Sequence, residues 1–89
     1  MKVSYLEVTY RLGKPISAYF YLPRDTKDKS HRTSKADLGM IIDYTEDGKP
    51  IGIEITAPSK VTVRDLNRVL SSLGVPALTS DDVAPLKAA

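Results

Sequence analysis

Leu38-Gly39-Met40-Ile41-Ile42-Asp43-Tyr44 and Ile51-Gly52-Ile53-Glu54-Ile55, joined by Thr45-Glu46-Asp47-Gly48-Lys49-Pro50, decide the fold. On both arms large apolar residues recur at every second position, the signature of a half-buried strand. Asp47-Gly48 is the kind of pair that a two-residue type I′ turn favours, because both of its central residues take positive φ. With that tip Tyr44 opposes Ile51, Ile42 opposes Ile53 and Met40 opposes Ile55, and all six of these apolar residues fall on one face. A slip of one residue would set Asp43 against Ile51 and scatter the set, so the register is well specified. On the other face Asp43 opposes Gly52 and Glu54 opposes Ile41. Gly39 and Gly52, which no turn requires, mark a bulge or a close backbone approach.

Working back toward the N-terminus, the same period predicts a first hairpin over about 3–22. Leu6, Val8, Tyr10 and Leu12 share one face, with Glu7, Thr9 and Arg11 on the other. Val3 and Tyr5 are out of phase with the apolar set, which points to a bulge near Leu6 or to a later strand start. Gly13-Lys14-Pro15 supplies turn chemistry. Ile16, Ala18, Phe20 and Leu22 then face one way, Ser17, Tyr19 and Tyr21 the other, until Pro23 ends the ladder. Residues 23–37 carry no apolar period and read as a mobile basic loop, since nothing there offsets the entropy of ordering.

Past the second hairpin (38–57) the period becomes helical. Leu66, Val69, Leu70 and Leu73 sit at i, i+3, i+4 and i+7, predicting a helix over 62–73. Thr62 is placed to cap it, with Asp65 three residues on. Gly74 and Pro76 supply stop signals. In the tail, 75–89, Thr79-Ser80-Asp81-Asp82 repeats the cap-then-acid pattern and predicts one or two further turns. The expected fold is α+β in a single domain. Two antiparallel hairpins make a four-stranded sheet, β-β-β-β-α, with the helix on one face and a short helical tail.

Composition narrows the function. Eighty-nine residues make one domain. With no cysteine there is neither a disulfide framework nor the usual zinc ligand set. The opening Met1-Lys2-Val3-Ser4-Tyr5-Leu6-Glu7 reaches an acid too early for a signal peptide, and no apolar run spans a bilayer, so a cytoplasmic protein with no membrane partner is expected. Net charge is only +2, but it is unevenly spread: Arg24–Lys35 sums to +3 through Arg24, Lys27, Lys29, Arg32 and Lys35 against Asp25 and Asp28, and the remainder of the chain to −1.

The run Gly39–Ile55, and more loosely Ala18-Tyr19-Phe20-Tyr21-Leu22, resembles a widespread bacterial family catalogued as domain of unknown function 2283. The resemblance implies a small β-rich module of bacterial origin and assigns no catalytic residue. It also implies, through some relatives suspected of it, a toxin-neutralising partner role.

Read residue by residue, the chain offers little chemistry. Asp43 and Glu54 form a weak carboxylate pair, diagonal neighbours ~7–8 Å apart at Cα, which without a third ligand more simply solubilise the outer face. His31, with Ser30 and Asp28 near it in sequence, lacks the rigid scaffold a catalytic triad needs. No catalytic, metal or cofactor site is expected. The basic residues of 24–35 would suit phosphates, but the stretch has no aromatic for stacking, which makes a nucleic-acid partner the alternative. A non-enzymatic protein-interaction module is the leading expectation. One helix ~10–12 Å wide covers only part of the inner face of a sheet roughly 20 Å across, and the tail (Val75, Leu78, Val83, Leu86) covering the rest is the monomer alternative. Tyr19 and Tyr21, on the opposite face beyond reach of both, are the candidate contacts. A homodimer through the tyrosine face or through edge strands would bury the remainder.

Overall fold

The computed structural model of the chain describes residues 4–25 and 27–76. Five strands form one antiparallel sheet: β1 (Tyr5–Arg11), β2 (Lys14–Tyr21), β3 (Arg32–Lys35), β4 (Met40–Tyr44) and β5 (Pro50–Ile55). Their spatial order is β1-β2-β5-β4-β3, and α1 (Val63–Ser72) follows. The α+β class is observed; the four-stranded count is not.

The additional strand lies inside the stretch expected to be a loop over 23–37. Arg32, Thr33, Ser34 and Lys35 pair with Tyr44, Asp43, Ile42 and Ile41, and all four are exposed. An edge strand that buries neither face gains ladder hydrogen bonds without apolar contact, so no period of two marks it in the sequence. Before it, His31 donates its N–H to the Tyr44 carbonyl (2.8 Å). Asp28 accepts from Lys49 Nζ (2.8 Å) and from the Asp25 N–H (2.9 Å), which ties this segment to the β4–β5 turn.

That turn closes differently from the expected type I′. Gly48 alone takes positive φ, its N–H donates to the Thr45 carbonyl (3.0 Å), and the Thr45 N–H donates to Lys49 (2.9 Å). This is a type I turn followed by a left-handed glycine, a three-residue loop. Tyr44 therefore faces Pro50 rather than Ile51, and a bulge between Asp43 and Tyr44 restores the expected pairs Asp43–Gly52, Ile42–Ile53, Ile41–Glu54 and Met40–Ile55. Thr45, the one buried polar residue among those described, has its hydroxyl satisfied by Asp47 Oδ1 (2.7 Å) and the Lys49 N–H (3.1 Å).

The two-residue turn with both centres at positive φ belongs instead to the first hairpin, at Leu12 (53°) and Gly13 (77°). The bulge there lies opposite Thr9 and Tyr10, where Ile16 is the extra residue on β2, and not near Leu6. A turn and a bulge remove side chains from the pleat, so Leu12 and Ile16 leave the face expected for them.

Ala18, Phe20, Met40, Ile42, Ile53 and Ile55 line the inner face, where Val61 and the α1 residues Leu66, Val69 and Leu70 pack on them. Thr62 and Asp65 make the reciprocal capping box. At the other end the Val75 N–H reaches the Leu70 carbonyl (2.9 Å) and the Gly74 N–H reaches Ser71 (3.1 Å), a Schellman closure that brings Val75 onto the core. Thr62 and Leu73 are thus caps of α1 rather than members of it. The short helix expected in the tail lies outside the described residues. No helix among the described residues is long and apolar enough to cross a membrane.

Leu66 is fully buried between α1 and the sheet. Leu66→Ala should cost about 2–5 kcal/mol, read by chemical denaturation. A loss below about 1 kcal/mol would contradict helix packing as an integral part of the core.

Candidate interaction surface

The ladder registers set two rows of side chains across the outer face of the sheet. One runs Tyr5, Tyr21, Gly52, Asp43, Thr33; the next runs Glu7, Tyr19, Glu54, Ile41, Lys35. Tyr19 leaves its own row. A Cβ on Gly52 would land on the Tyr19 ring, so the ring lies across β5 in the space that a side chain at 52 would fill. Its hydroxyl donates to Asp43 Oδ2 (2.5 Å) on the far side of that strand. The close approach expected at Gly52 is this one.

The rings then pack on one another. Tyr5 stacks on Tyr21 with centroids 4.4 Å apart and planes 17° from parallel. Tyr19 meets Tyr21 edge-on at 4.7 Å and 63°. The Arg24 guanidinium sits 5.5 Å from the Tyr21 centroid. Each such contact contributes about 0.5–1.5 kcal/mol beyond area burial. Burial first, then the hydrogen bond to Asp43 and its negative charge, hold the Tyr19 phenol well above the ordinary tyrosine range. Burial, then the Glu7 carboxylate, moves Tyr21 the same way.

Tyr19 and Tyr21 thus share the outer face, as expected, and much of their surface is covered within the monomer. Asp43 and Glu54 lie on that face too, but Tyr19 rather than a second acid engages Asp43. Among the described residues no three His, Cys, Asp or Glu side chains are placed to hold a metal ion.

The basic residues do not converge. Arg24 covers Tyr21 and Arg32 covers Tyr44 (5.4 Å). Lys35, three positions along β3 from Arg32, points to the opposite face. Lys27 and Lys29 line a cleft of ≈ 560 Å³ against the β4–β5 turn, whose opposite wall carries Glu46 and Asp47. That cleft mixes charge signs and places His31 on an exposed backbone stretch.

Sequence reasoning missed Tyr5, and the signal was present. At odd parity with Glu7 and Thr9, Tyr5 belongs to the outer face without any bulge. It also missed how exposure concentrates. Among the described residues the exposed large apolar side chains are Tyr5 (41%), Tyr10 (48%), Leu12 (94%), Ile16 (50%) and Leu38 (51%). All but Leu38 belong to the β1–β2 hairpin.

Gly52→Ala should expel the Tyr19 ring, costing about 1–3 kcal/mol in denaturation and moving Tyr19 back toward ordinary titration. An equally stable variant with Tyr19 still titrating high would refute the arrangement. In the wild type the shift has a sign. The raised folded pKa leaves stability intact below about pH 10. Stability then falls as pH rises, because the unfolded phenol ionises while Tyr19 keeps its proton. Ultraviolet titration should show a latest-ionising phenol that is absent from Tyr19→Phe; an unchanged late step in that variant would contradict it.

No curated protein and no solved structure is significantly similar to the chain. β1 and α1 fall outside the one region for which a relationship is found. Residues 17–58, from β2 to the turn that follows β5, match the family described as Protein of unknown function (DUF2283).

Proposed function

We propose that this protein is a non-enzymatic interaction module whose partner is a second copy of itself, engaged through the β1–β2 hairpin. The observation that carries this reading is the clustering of exposed apolar side chains there: Tyr5, Tyr10, Leu12 and Ile16 on a hairpin whose outer strand pairs on one side only. Apolar exposure concentrated on one hairpin suits a contact surface, and tyrosine contributes large area at low entropy cost. A nucleic-acid partner is less well supported. The basic residues point to different faces, and the outer face carries Glu7, Asp43 and Glu54 alongside its rings. A chain without cysteine suits a reducing cytoplasm.

Sedimentation equilibrium at tens of micromolar should report a species of twice 9.8 kDa. Tyr10→Ser combined with Ile16→Ser should weaken it about tenfold or more, with the monomer fold preserved. A single 9.8 kDa species would overturn the reading. A dimer indifferent to both substitutions would remove the hairpin as its contact.

A further inference from the structure

The two edges of the sheet are unequal. β3 has four residues, all exposed, and begins and ends in Arg32 and Lys35. Shortness and terminal basic side chains are devices that keep an edge from pairing. β1 has seven residues and contains no proline and no lysine. Its inner-facing Leu6 and Val8 are half-buried at the margin of the core and Tyr10 is exposed, so no charge points inward to guard it. The bulge of this hairpin resides in β2, at Ile16, which leaves β1 uninterrupted along its free side. An edge with unpaired N–H and C=O groups and a half-covered apolar face is a template for a further strand.

We propose that the second copy adds to the sheet through β1, the two β1 strands running antiparallel about a two-fold axis at Val8. This rests on the reading of the protein as a self-associating module and specifies the contact. A two-fold axis makes the contact self-complementary, so each pair occurs twice. Inner residues must oppose inner residues, which restricts the choice of register. Centred on Glu7, the pairing would set that carboxylate against its own copy. Centred on Thr9, it would run Leu6 against Leu12 in the turn and leave Tyr5 without a partner. Centred on Val8, the whole strand is used. Val8 meets Val8, Leu6 meets Tyr10, Glu7 meets Thr9, and Tyr5 meets Arg11 of the second copy.

The charges fit this register. Glu7 has two diagonal neighbours in the second copy at a Cα spacing of ~7–8 Å, Arg11 and the other Glu7. The two-fold forms the attractive Glu7–Arg11 pair twice and the repulsive Glu7–Glu7 pair once, so attraction prevails. The same Arg11 faces the exposed ring of Tyr5, where a guanidinium is favourable. On the inner face Leu6, Val8 and Tyr10 of both copies form one strip that α1 leaves half-covered in the monomer. Charge complementarity under the two-fold is what points to a second copy of this chain rather than to an unrelated strand.

A charge exchange tests it, because Glu7 and Arg11 are both exposed and neither contributes to the buried core. Glu7→Arg alone and Arg11→Glu alone should each weaken the dimer about tenfold or more, since both symmetry-related pairs become like-charged. The double variant should recover most of that loss. Thermal denaturation of each variant at low concentration verifies the fold. A single 9.8 kDa wild-type species would remove this pairing together with the parent reading. A dimer that ignores the single exchanges, or a double variant no tighter than the singles, would overturn the β1 pairing and leave self-association standing.

Discussion

At position 52 the absence of a side chain lets the Tyr19 ring cross the central strand β5 and donate its hydroxyl to Asp43 on β4. Three adjacent strands are thereby joined by a side-chain bridge as well as by their ladders. The ring also offers an edge to Tyr21, which stacks on Tyr5, so the aromatic cover extends to β1. A five-stranded sheet with one helix has one face without a second layer, and a bare face of that kind is normally a liability. Here the outer face supplies its own cover. The arrangement depends on a small residue at 52, because any Cβ would occupy the place of the ring.

On the inner face the same strand carries Ile53 and Ile55 beneath α1, both fully buried. Coverage by the helix is lopsided. Leu66, Val69 and Leu70 complete a core drawn from β2, β5 and β4, whereas Leu6 and Val8 of β1 remain only partly covered. The segment matched to the family, residues 17–58, contains β3, β4, β5 and most of β2. In this chain its apolar face is closed by a helix from beyond the matched region, fixed at one end by the Thr62–Asp65 box and at the other by the Val75–Leu70 closure. β1, also outside that region, is added at one side and brings the exposed Tyr5 and Tyr10 with it.

Where the sequence was legible, burial was one-sided. Met40, Ile42, Ile53 and Ile55 alternate with Ile41, Asp43, Gly52 and Glu54, and their register was readable because a slip would have exposed the core. The helix was readable for the same reason, with its cap named to the residue. β3 was illegible because a strand exposed on both faces leaves no apolar period. The β4–β5 turn was misread because Gly48 serves a type I turn with a left-handed glycine as well as it serves type I′. Leu12 looked like a core residue because nothing in its side chain announces positive φ, a conformation that costs a non-glycine residue roughly 1–2 kcal/mol. At the candidate surface, parity placed Tyr19 and Tyr21 together. The reach of Tyr19 across Gly52 to Asp43 is a diagonal, long-range contact that no local pattern encodes.

A central strand covered on both faces should be the last part of the sheet to open. Residue-resolved amide hydrogen exchange measures this directly. Amides of Ile53, Glu54 and Ile55 should exchange most slowly, at the rate set by global unfolding, and those of Thr33 and Ser34 should exchange far faster through local opening of the edge. Uniform protection across β3 and β5, or faster exchange in β5 than in β3, would contradict the account of a sheet closed from both sides on its central strand.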